Sequence, residues 1–223
     1  LISGIFAAAE ATEPIKIAAI FAKTGIAAKD NAPNFEGVSL AVEEINGQGG
    51  LLGRQLEVIE LDNSSNSIGS KQAALKAVEL DVVAVIGAAW SSHSLAIAPV
   101  LQQKQIPMIS PISTNPKVTL IGNFIFRVCF TDPFQGKVMA QFAYRDLKAR
   151  TAIILTNVNS DYCIGLAEFF EKSFIQSGGK VLWEGEYKEK AIDFSTALKK
   201  VRLLQPNVVF VPGYIQDSAL IIK

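Results

Sequence analysis

The sequence has few of the residues that most catalytic and metal sites require. Its 223 residues contain a single histidine, His93, and two cysteines, Cys129 and Cys163, which stand too far apart for a metal-binding motif. Lys and Arg together number 21, as do Asp and Glu, so no surplus of positive charge favours nucleic acid or an anionic membrane. No run approaches the roughly 20 apolar residues that cross a bilayer. We therefore expect no metal, no cofactor and no nucleic-acid partner.

The first residues are typical of a protein that is exported. Residues 1–11, "LISGIFAAAEA", form a short apolar run that ends in Ala-Glu-Ala, as the end of a secretory signal with an A-x-A cleavage site does. An ordinary apolar strand is the alternative interpretation. We interpret residues 1–11 as a signal peptide remnant, which places the start of the mature chain near Thr12 and predicts a periplasmic or other extracytoplasmic location.

Short β-rich runs alternate with helical patterns along almost the whole chain. "IKIAAIF" at Ile15–Phe21 is typical of a buried strand, and the apolar residues of Asn34–Asn46 recur at helical spacing. Similar pairs follow as far as a last predicted helix near Asp217. This alternation predicts an α/β fold with parallel sheets and helices on both faces.

The best boundary between two such series is a loop rich in Pro, Asn, Ser and Thr, Pro111–Asn123. We therefore predict two α/β lobes, the first over residues 12–123 and the second over residues 124–223. This boundary assigns the predicted strand "FIFRV", which follows Asn123, to the second lobe.

Polar residues follow the predicted strand Val82–Ile86, in the stretch "GAAWSSHS". Ligands bind at the carboxyl ends of the strands in open parallel sheets, and a helix N-terminus offers free N–H groups to an anion. Ser91, nearest the strand end, is the better ligand candidate and would suit a carboxylate. Ser92 and Ser94 are equally well explained as helix N-caps.

His93 stands among these serines and raises the possibility of a hydrolase. A catalytic triad is not assembled from sequence neighbours, however, and no G-x-S-x-G nucleophile motif is present here. We interpret His93 as a polar surface residue at the start of a solvent-facing helix. The sequence predicts no catalytic residue, and the protein is not expected to be an enzyme.

A second hydroxyl-rich stretch, "SPISTNPKVT" (Ser110–Thr119), follows the next predicted strand. Ser113 and Thr114 offer hydroxyl groups, and the local N–H groups could add donors. Ordinary turn chemistry around Asn115-Pro116 explains the stretch better than a binding site does when the stretch is taken alone. Two such strand ends in one lobe favour a binding site.

These residues lie within longer stretches that match a known family. The chain resembles the periplasmic solute-binding proteins of ABC importers for branched-chain amino acids, of the leucine/isoleucine/valine-binding type. The resemblance runs from Ile15 to the end. Its matching text is "FEGVSLAVEEINGQGGLLGRQLEVIELDN", "VIGAAWSSHSLAIAPVLQQKQIPMISPISTNPKVT", "FRVCFTDPFQGKVMAQFA", "SDYCIGLAEFFEKSFIQSGGKV" and "DFSTALKKVRLLQPNVVFVPGY".

The resemblance implies a type I periplasmic binding fold, in which two lobes close on a small ligand. Ser91 matches the serine that binds the ligand carboxylate, and Thr114 matches the threonine that holds the head group. Ile112 and Ser113 would lend backbone groups beside Thr114. From the second lobe, an aromatic residue that closes over the ligand and a tyrosine that lines the pocket match Tyr162 and Tyr214.

Two positions depart from the leucine-type pattern. Asp30 stands where those proteins carry an aromatic residue, and we interpret it as solvated, although it could instead face an amine. Trp90 stands where they carry a disulfide cysteine, and it would shape the pocket mouth or pack between the lobes. These changes weaken any claim that the ligand is leucine itself.

The resemblance implies a binding protein that captures an amino acid or similar small carboxylate and delivers it to a membrane permease of an ABC importer. We expect such a protein to be a monomer. A ligand-sensing domain of a receptor or regulator with the same fold is the alternative function. The resemblance also implies that a last third, which completes both lobes and carries the ammonium-binding acid, follows Lys223.

Overall fold

The computed structural model describes residues 13–222 of the chain, so the predicted signal peptide remnant, residues 1–11, lies outside the described residues. The strands are β1 (Ile15–Phe21), β2 (Leu56–Asp62), β3 (Ala84–Gly87), β4 (Met108–Ser110), β5 (Ile125–Arg127), β6 (Thr151–Asn157), β7 (Lys180–Tyr187) and β8 (Val208–Phe210). The α-helices are α1 (Ala28–Gly47), α2 (Ser67–Glu79), α3 (Ser91–Lys104), α4 (Asp132–Gln141), α5 (Asp161–Gln176), α6 (Ser195–Leu204) and α7 (Ile215–Ile222). A 3₁₀ helix covers Pro116–Ile121, and a π-helical turn, Phe142–Asp146, continues α4. None of the helices described is long and apolar enough to cross a membrane.

The first sheet has five parallel strands in the order β2-β1-β3-β4-β5. Its central strand, β1, is a run of apolar residues because helices cover both of its faces. On one face, Ile20 and Val85 pack with Ile97 and Leu101 of α3. On the other face, Phe21 and neighbouring residues pack against the segment that begins α1. The predicted α/β class with parallel sheets is confirmed.

The second sheet has three parallel strands in the order β7-β6-β8. Its middle strand, β6, is a run of mostly apolar residues, and Ile153, Ile154 and Leu155 are almost fully buried. Helix α5 covers one face, where Phe170 stacks on Phe210 with ring centroids 3.9 Å apart. The two sheets thus have separate apolar cores, and the carboxyl ends of their strands face the space between them.

The assignment of "FIFRV" to the second series is wrong. Strand β5 pairs in parallel with β4, with Met108 opposite Ile125, and the Ile125 side chain is buried in the core of the first sheet. Arg127 also fastens the Pro-rich loop to this sheet, because its guanidinium donates to the carbonyl oxygens of Ser113 and Asn115 at 2.6 and 2.9 Å. The chain therefore leaves the first sheet after Arg127 rather than at Asn123.

Candidate functional site

A cavity of about 330 Å³ lies between the two sheets. The loops after β3 and β4 form one wall, and the start of α5 and the segment after β8 form the opposite wall. Of the residues that sequence analysis predicts to bind ligand, Trp90, Ser91, Ile112, Thr114, Tyr162 and Tyr214 line it. The remaining lining residues are Asp30, Ala89, Phe130, Gln135, Gly213 and Ile215. The structure thus brings together six residues from four separate strand or helix ends, and their contact with a ligand stays a prediction.

Ser91 reaches the cavity because the chain turns sharply after β3. Gly87 has φ 137°, and a Cβ at this position would clash with the carbonyl oxygen of Ile20. Helix α3 then begins at Ser91, so Ser91 lies in the first turn, where backbone N–H groups have no partner within the helix. The Ser91 hydroxyl accepts a hydrogen bond from the Asn115 N–H at 3.2 Å. The free backbone N–H groups of this first turn are suited to bind an anion.

Neither Ser92 nor Ser94 caps this helix, since the N-cap residue is Trp90 and it makes no side-chain cap bond. The Ser92 hydroxyl instead accepts from the Asp161 N–H at 2.9 Å, across the gap between the sheets. The Ser94 hydroxyl accepts from the Ala88 N–H at 3.1 Å and thereby holds the loop after β3. Both serines are structural, although not in the way that the sequence predicts.

Ser113 is the predicted binding residue that does not line the cavity. Its side chain is fully buried, and its hydroxyl lies 2.7 Å from the Ser94 hydroxyl and 3.1 and 3.0 Å from the carbonyl oxygens of Ala88 and Ala89. The carbonyl oxygen of Ser113 accepts a hydrogen bond from the Arg127 guanidinium. Ser113 therefore ties the loop after β4 to the loop after β3, and its backbone oxygen already has a partner.

Thr114, the next residue, faces the cavity and belongs to a polar group whose hydrogen bonds are incomplete. The Thr114 hydroxyl, one oxygen of Gln135 and both carboxylate oxygens of Asp132 are buried and have no well-aligned hydrogen-bond partner in the described residues. Burial raises the pKa of Asp132 to about 6. The nearby Thr114 hydroxyl and the charge of Arg127 act in the opposite direction and lower this pKa, but their effect is smaller. Such unpartnered buried groups are rare inside proteins, so each of them requires an explanation.

Three residues at or beside the cavity were not predicted from the sequence, namely Asp132, Gln135 and Phe130. Asp132-Pro133 opens helix α4, and an acid followed by proline at that position is what ordinary helix initiation produces. The pattern therefore carries no sign of a buried carboxylate beside a cavity. Only the packing of α5 against α4 shows that Asp132 is removed from water.

Aromatic rings form the wall opposite Ser91. Tyr214 stacks on Trp90 with ring centroids 3.9 Å apart and an interplanar angle of 11°, and Tyr162 lies 5.7 Å from Tyr214. The Tyr162 hydroxyl accepts from the Gln135 amide at 3.3 Å, and the Tyr214 and Ser160 hydroxyls lie 3.2 Å apart. Burial raises the pKa of both tyrosines, so both are neutral at pH 7. Trp90 packs between the sheets, as one of its two predicted roles requires.

The interpretation of His93 as a surface residue is wrong. Its side chain is 3% exposed, because it lies against Trp90 and against the loop that follows β2. The ring stacks on Trp90, and its Nδ1 accepts from the Asn63 amide at 3.3 Å rather than from a serine. Burial lowers the pKa of His93 to about 4, while a backbone group of Ser65 acts in the opposite direction. His93 is therefore a neutral core residue at pH 7.

The interpretation of Asp30 as solvated stays a prediction. Asp30 is half-buried and lines the cavity. Helix α1 begins at Ala28 instead of near Asn34, which places Asp30 in its first turn beside Trp90. This side chain adds a negative charge to a wall that is otherwise formed by aromatic and aliphatic groups.

Hydrogen bonds join the two sheets around the cavity. The Asn115 amide donates to the Asp161 carbonyl oxygen at 2.7 Å, and the Gln216 amide donates to the Ile26 carbonyl oxygen at 3.0 Å. Together with the Trp90–Tyr214 stack, they connect the rims of the two halves. Within residues 13–222, no group of three or more His, Cys, Asp or Glu side chains could hold a metal ion.

Comparison with known proteins identifies the family of this two-lobed arrangement. The family model described as "Periplasmic binding protein" matches residues 14–223. The Leucine-, isoleucine-, valine-, threonine-, and alanine-binding protein of Pseudomonas aeruginosa is 29% identical over 224 residues, which cover all of this chain and 60% of that protein. The chain thus spans about three-fifths of the length of this relative.

Solved structures agree with this assignment. A leucine binding protein, LivK, from Thermotoga maritima superposes with a TM-score of 0.88 and 38% identity, over 93% of this chain and 58% of that one. LivJ from Streptococcus pneumoniae, a branched-chain amino acid transporter substrate binding protein solved in complex with isoleucine, gives a TM-score of 0.87 and 30% identity, over 94% and 60%. The chain belongs to the periplasmic binding protein family.

Proposed function

We propose that the chain captures an amino acid or a similar small carboxylate as the binding component of an ABC importer. The observation that carries this proposal is the convergence of Ser91 and Thr114 from two strand ends on one cavity, opposite Tyr162 and Tyr214. The hydroxyls and the first turn of α3 would bind the carboxylate, and the tyrosines would cover the ligand. The names of the similar proteins support the same class of ligand.

The mechanism follows from the position of the cavity between two separate cores. A ligand that touches both walls favours the arrangement in which the walls are close, and so it shifts the population toward that arrangement. Contacts such as Asp161–Ser92 and Trp90–Tyr214 would form as the walls approach. The ligand-loaded surface would then be recognised by a membrane permease.

The remaining parts of the proposal concern the place and state of the protein. Residues 1–11 would direct export, and the protein would act outside the cytoplasmic membrane as a monomer. Its relatives are named as binding proteins rather than enzymes, and the chemistry of the cavity agrees, because the one histidine is buried elsewhere and bonded to an amide.

The double substitution Ser91→Ala with Thr114→Ala tests the proposal on the full-length gene product. We expect the affinity for the best ligand among the twenty L-amino acids and benzoate to fall at least about 100-fold, because two hydrogen bonds to a charged ligand are lost. Isothermal titration would measure the affinity, after a thermal-shift screen has found the ligand.

The matched control is Ser177→Ala with Thr196→Ala, two hydroxyl deletions at positions that do not line the cavity. This control should bind as the unmodified protein does. Unchanged affinity in the first double variant, with an unchanged fold, would show that the hydroxyls do not hold the ligand and would overturn the proposal.

A further inference from the structure

A second, smaller cavity shares the Trp90–Tyr214 stack with the main cavity. Its volume is about 170 Å³, and both rings belong to its lining as well as to that of the main cavity. The ring centroids are 3.9 Å apart, so the rings are in van der Waals contact and no small molecule fits between them. The stack therefore forms a partition between the two cavities.

The carboxylate of Asp217 lines this second cavity. Asp217 lies in the first turn of α7 and is 8% exposed. The Asn157 amide and the Tyr187 hydroxyl both donate to its Oδ2, each at 3.3 Å. Its Oδ1 accepts no hydrogen bond from the described residues, and it is not among the polar atoms that are closed off from the surface. Asp217 therefore presents one carboxylate oxygen with unused lone pairs to the cavity.

The two partners of Asp217 hold the carboxylate in place without neutralising it. Burial and the negative charge of Asp217 raise the pKa of Tyr187, so its hydroxyl keeps its proton and acts as the donor. The Asn157 Oδ1 accepts from the Asn159 N–H at 3.0 Å, which fixes the amide with its NH₂ group toward Asp217. Both partners are neutral donors, so the negative charge stays on the carboxylate.

The other charged groups of this lining leave it with a net negative charge. They are Glu189 and Lys190, in the loop that follows β7. Within residues 13–222, Lys190 forms no ion pair with either acid. Two acids and one lysine give one net negative charge, which attracts a cation into the cavity.

The rest of the wall is largely apolar. The side chains of Ile26 and Leu220 line it together with the rings of Trp90 and Tyr214. Aliphatic groups suit an alkyl chain, and aromatic rings suit either an alkyl chain or a cation. A carboxylate at one place and an apolar wall around it match a ligand that has a single positive charge on a short hydrocarbon chain.

We infer that the second cavity is a binding site for a small alkylamine, whose ammonium group is held by the Asp217 carboxylate and whose chain is held by the apolar wall. A cavity of about 150 Å³ accepts a molecule of the size of benzene. The 170 Å³ of this cavity therefore has room for an amine such as n-butylammonium. The site is separate from the proposed amino-acid site and goes beyond the proposed function.

The walls of the second cavity come from both halves of the cleft. Ile26 and Trp90 belong to the first half, and Tyr214 and Asp217 belong to the second. A bound amine that touches both walls favours the arrangement in which they are close, as a ligand in the main cavity does. Each ligand should therefore strengthen the binding of the other, by the same factor in both directions.

Titration of the ligand-free, full-length gene product with n-butylammonium chloride tests the site. We expect a dissociation constant of about 1 mM or lower, and at least tenfold weaker binding of butan-1-ol, the uncharged counterpart of the same length. Asp217→Asn should weaken the binding of the amine at least about tenfold. Asp146→Asn, an exposed position beyond α4, is the matched control and should bind as the unmodified protein does.

Two further measurements locate the amine without changing Asp217. Ala191→Leu adds volume to the lining of the second cavity and should weaken the binding of the amine, even if Asp217→Asn does not fold. In the unmodified protein, a saturating concentration of n-butylammonium should raise the affinity for the best amino acid about fivefold or more.

Each outcome has a distinct meaning. If n-butylammonium does not bind the unmodified protein, or butan-1-ol binds equally well, the inference is wrong while the proposed function stands. If the amine lowers the affinity for the amino acid or leaves it unchanged, the amine occupies another place and the inference is also wrong. If no amino acid and no carboxylate binds, the proposed function fails, and the titration with the amine still decides on the second cavity.

Discussion

Ser113 and Thr114 are neighbours in the loop after β4, yet their hydroxyls are used in opposite ways. The Ser113 hydroxyl has three partners within 3.1 Å, namely Ser94 and the carbonyl oxygens of Ala88 and Ala89. The Thr114 hydroxyl is also buried and has no well-aligned partner in the described residues. A buried hydroxyl with all its bonds made holds the fold together, whereas one with bonds left over is available to a ligand.

The same contrast separates His93 and Asp132, two buried titratable groups near the cavity. The His93 ring accepts from Asn63 and stacks on Trp90, and it lies outside the lining of the main cavity. Asp132 has no such partner and stands behind Thr114. The histidine therefore belongs to the bonded framework, whereas the carboxylate lies next to a cavity residue and has hydrogen-bonding capacity left over.

The largest effect on stability is expected from Ser113→Ala. We expect the free energy of unfolding to fall by about 2 to 3 kcal/mol, because buried carbonyl oxygens and the Ser94 hydroxyl lose a partner. Urea unfolding would measure the change. Ligand affinity should change little, and a large loss of affinity with intact stability would break the distinction between Ser113 and Thr114.

The second effect concerns pH and is opposite for the two titratable groups. His93 has a pKa of about 4 in the folded protein and 6.5 ordinarily. Its contribution to the free energy of unfolding is therefore present above pH 6.5 and is lost as the pH falls toward 4. Asp132 has a pKa of about 6 in the fold and 3.8 ordinarily, so its contribution is present below pH 3.8 and is lost as the pH rises through 6. The two changes largely cancel in the unmodified protein.

Single variants should reveal these two contributions by urea unfolding at pH 7 and pH 4.5. On acidification, the free energy of unfolding of His93→Phe should rise by about 2 kcal/mol relative to that of the unmodified protein, because the variant has no histidine whose protonation destabilises the fold. Over the same pH range, the free energy of unfolding of Asp132→Asn should fall by about 2 kcal/mol relative to that of the unmodified protein, because the variant has no buried carboxylate whose protonation stabilises the fold. If both variants follow the unmodified protein, the two groups are not buried as the structure has them.

The smallest effect on stability is expected from Thr114→Val, which removes the hydroxyl and keeps the shape of the side chain. Because this hydroxyl lacks a well-aligned partner, the free energy of unfolding should change by less than about 0.5 kcal/mol, while the affinity for an amino acid falls roughly tenfold. Unfolding and titration of the same preparation would test both. A loss of stability as large as that of Ser113→Ala would show that Thr114 is structural.

The sequence predicted part of the site because strand ends and helix starts are local features. Ser91 and Thr114 follow predicted strands, and the topology of parallel sheets brings such positions to one edge. The exposure of Asp30, His93 and Asp132 could not be predicted from such local features. Their exposure depends on which element packs over them, and a polar residue near a helix start has the same pattern whether it faces water or a cavity.

The boundary after the first sheet shows the same limit. The Pro-rich loop marks a change in composition, and the partner of β5 is decided by contacts between Ile125 and a core built from residues far away in sequence.

The sequence by itself determined the alternation of strands and helices, the parallel sheets and the strand ends at which polar residues gather. These follow from periodicity and turn chemistry, which act over a few residues. The tertiary structure alone decided which hydroxyls are already bonded, which acid is removed from water and which of two neighbouring residues reaches the cavity. Burial and hydrogen-bond completion depend on groups brought together from distant parts of the chain, and no local pattern specifies them.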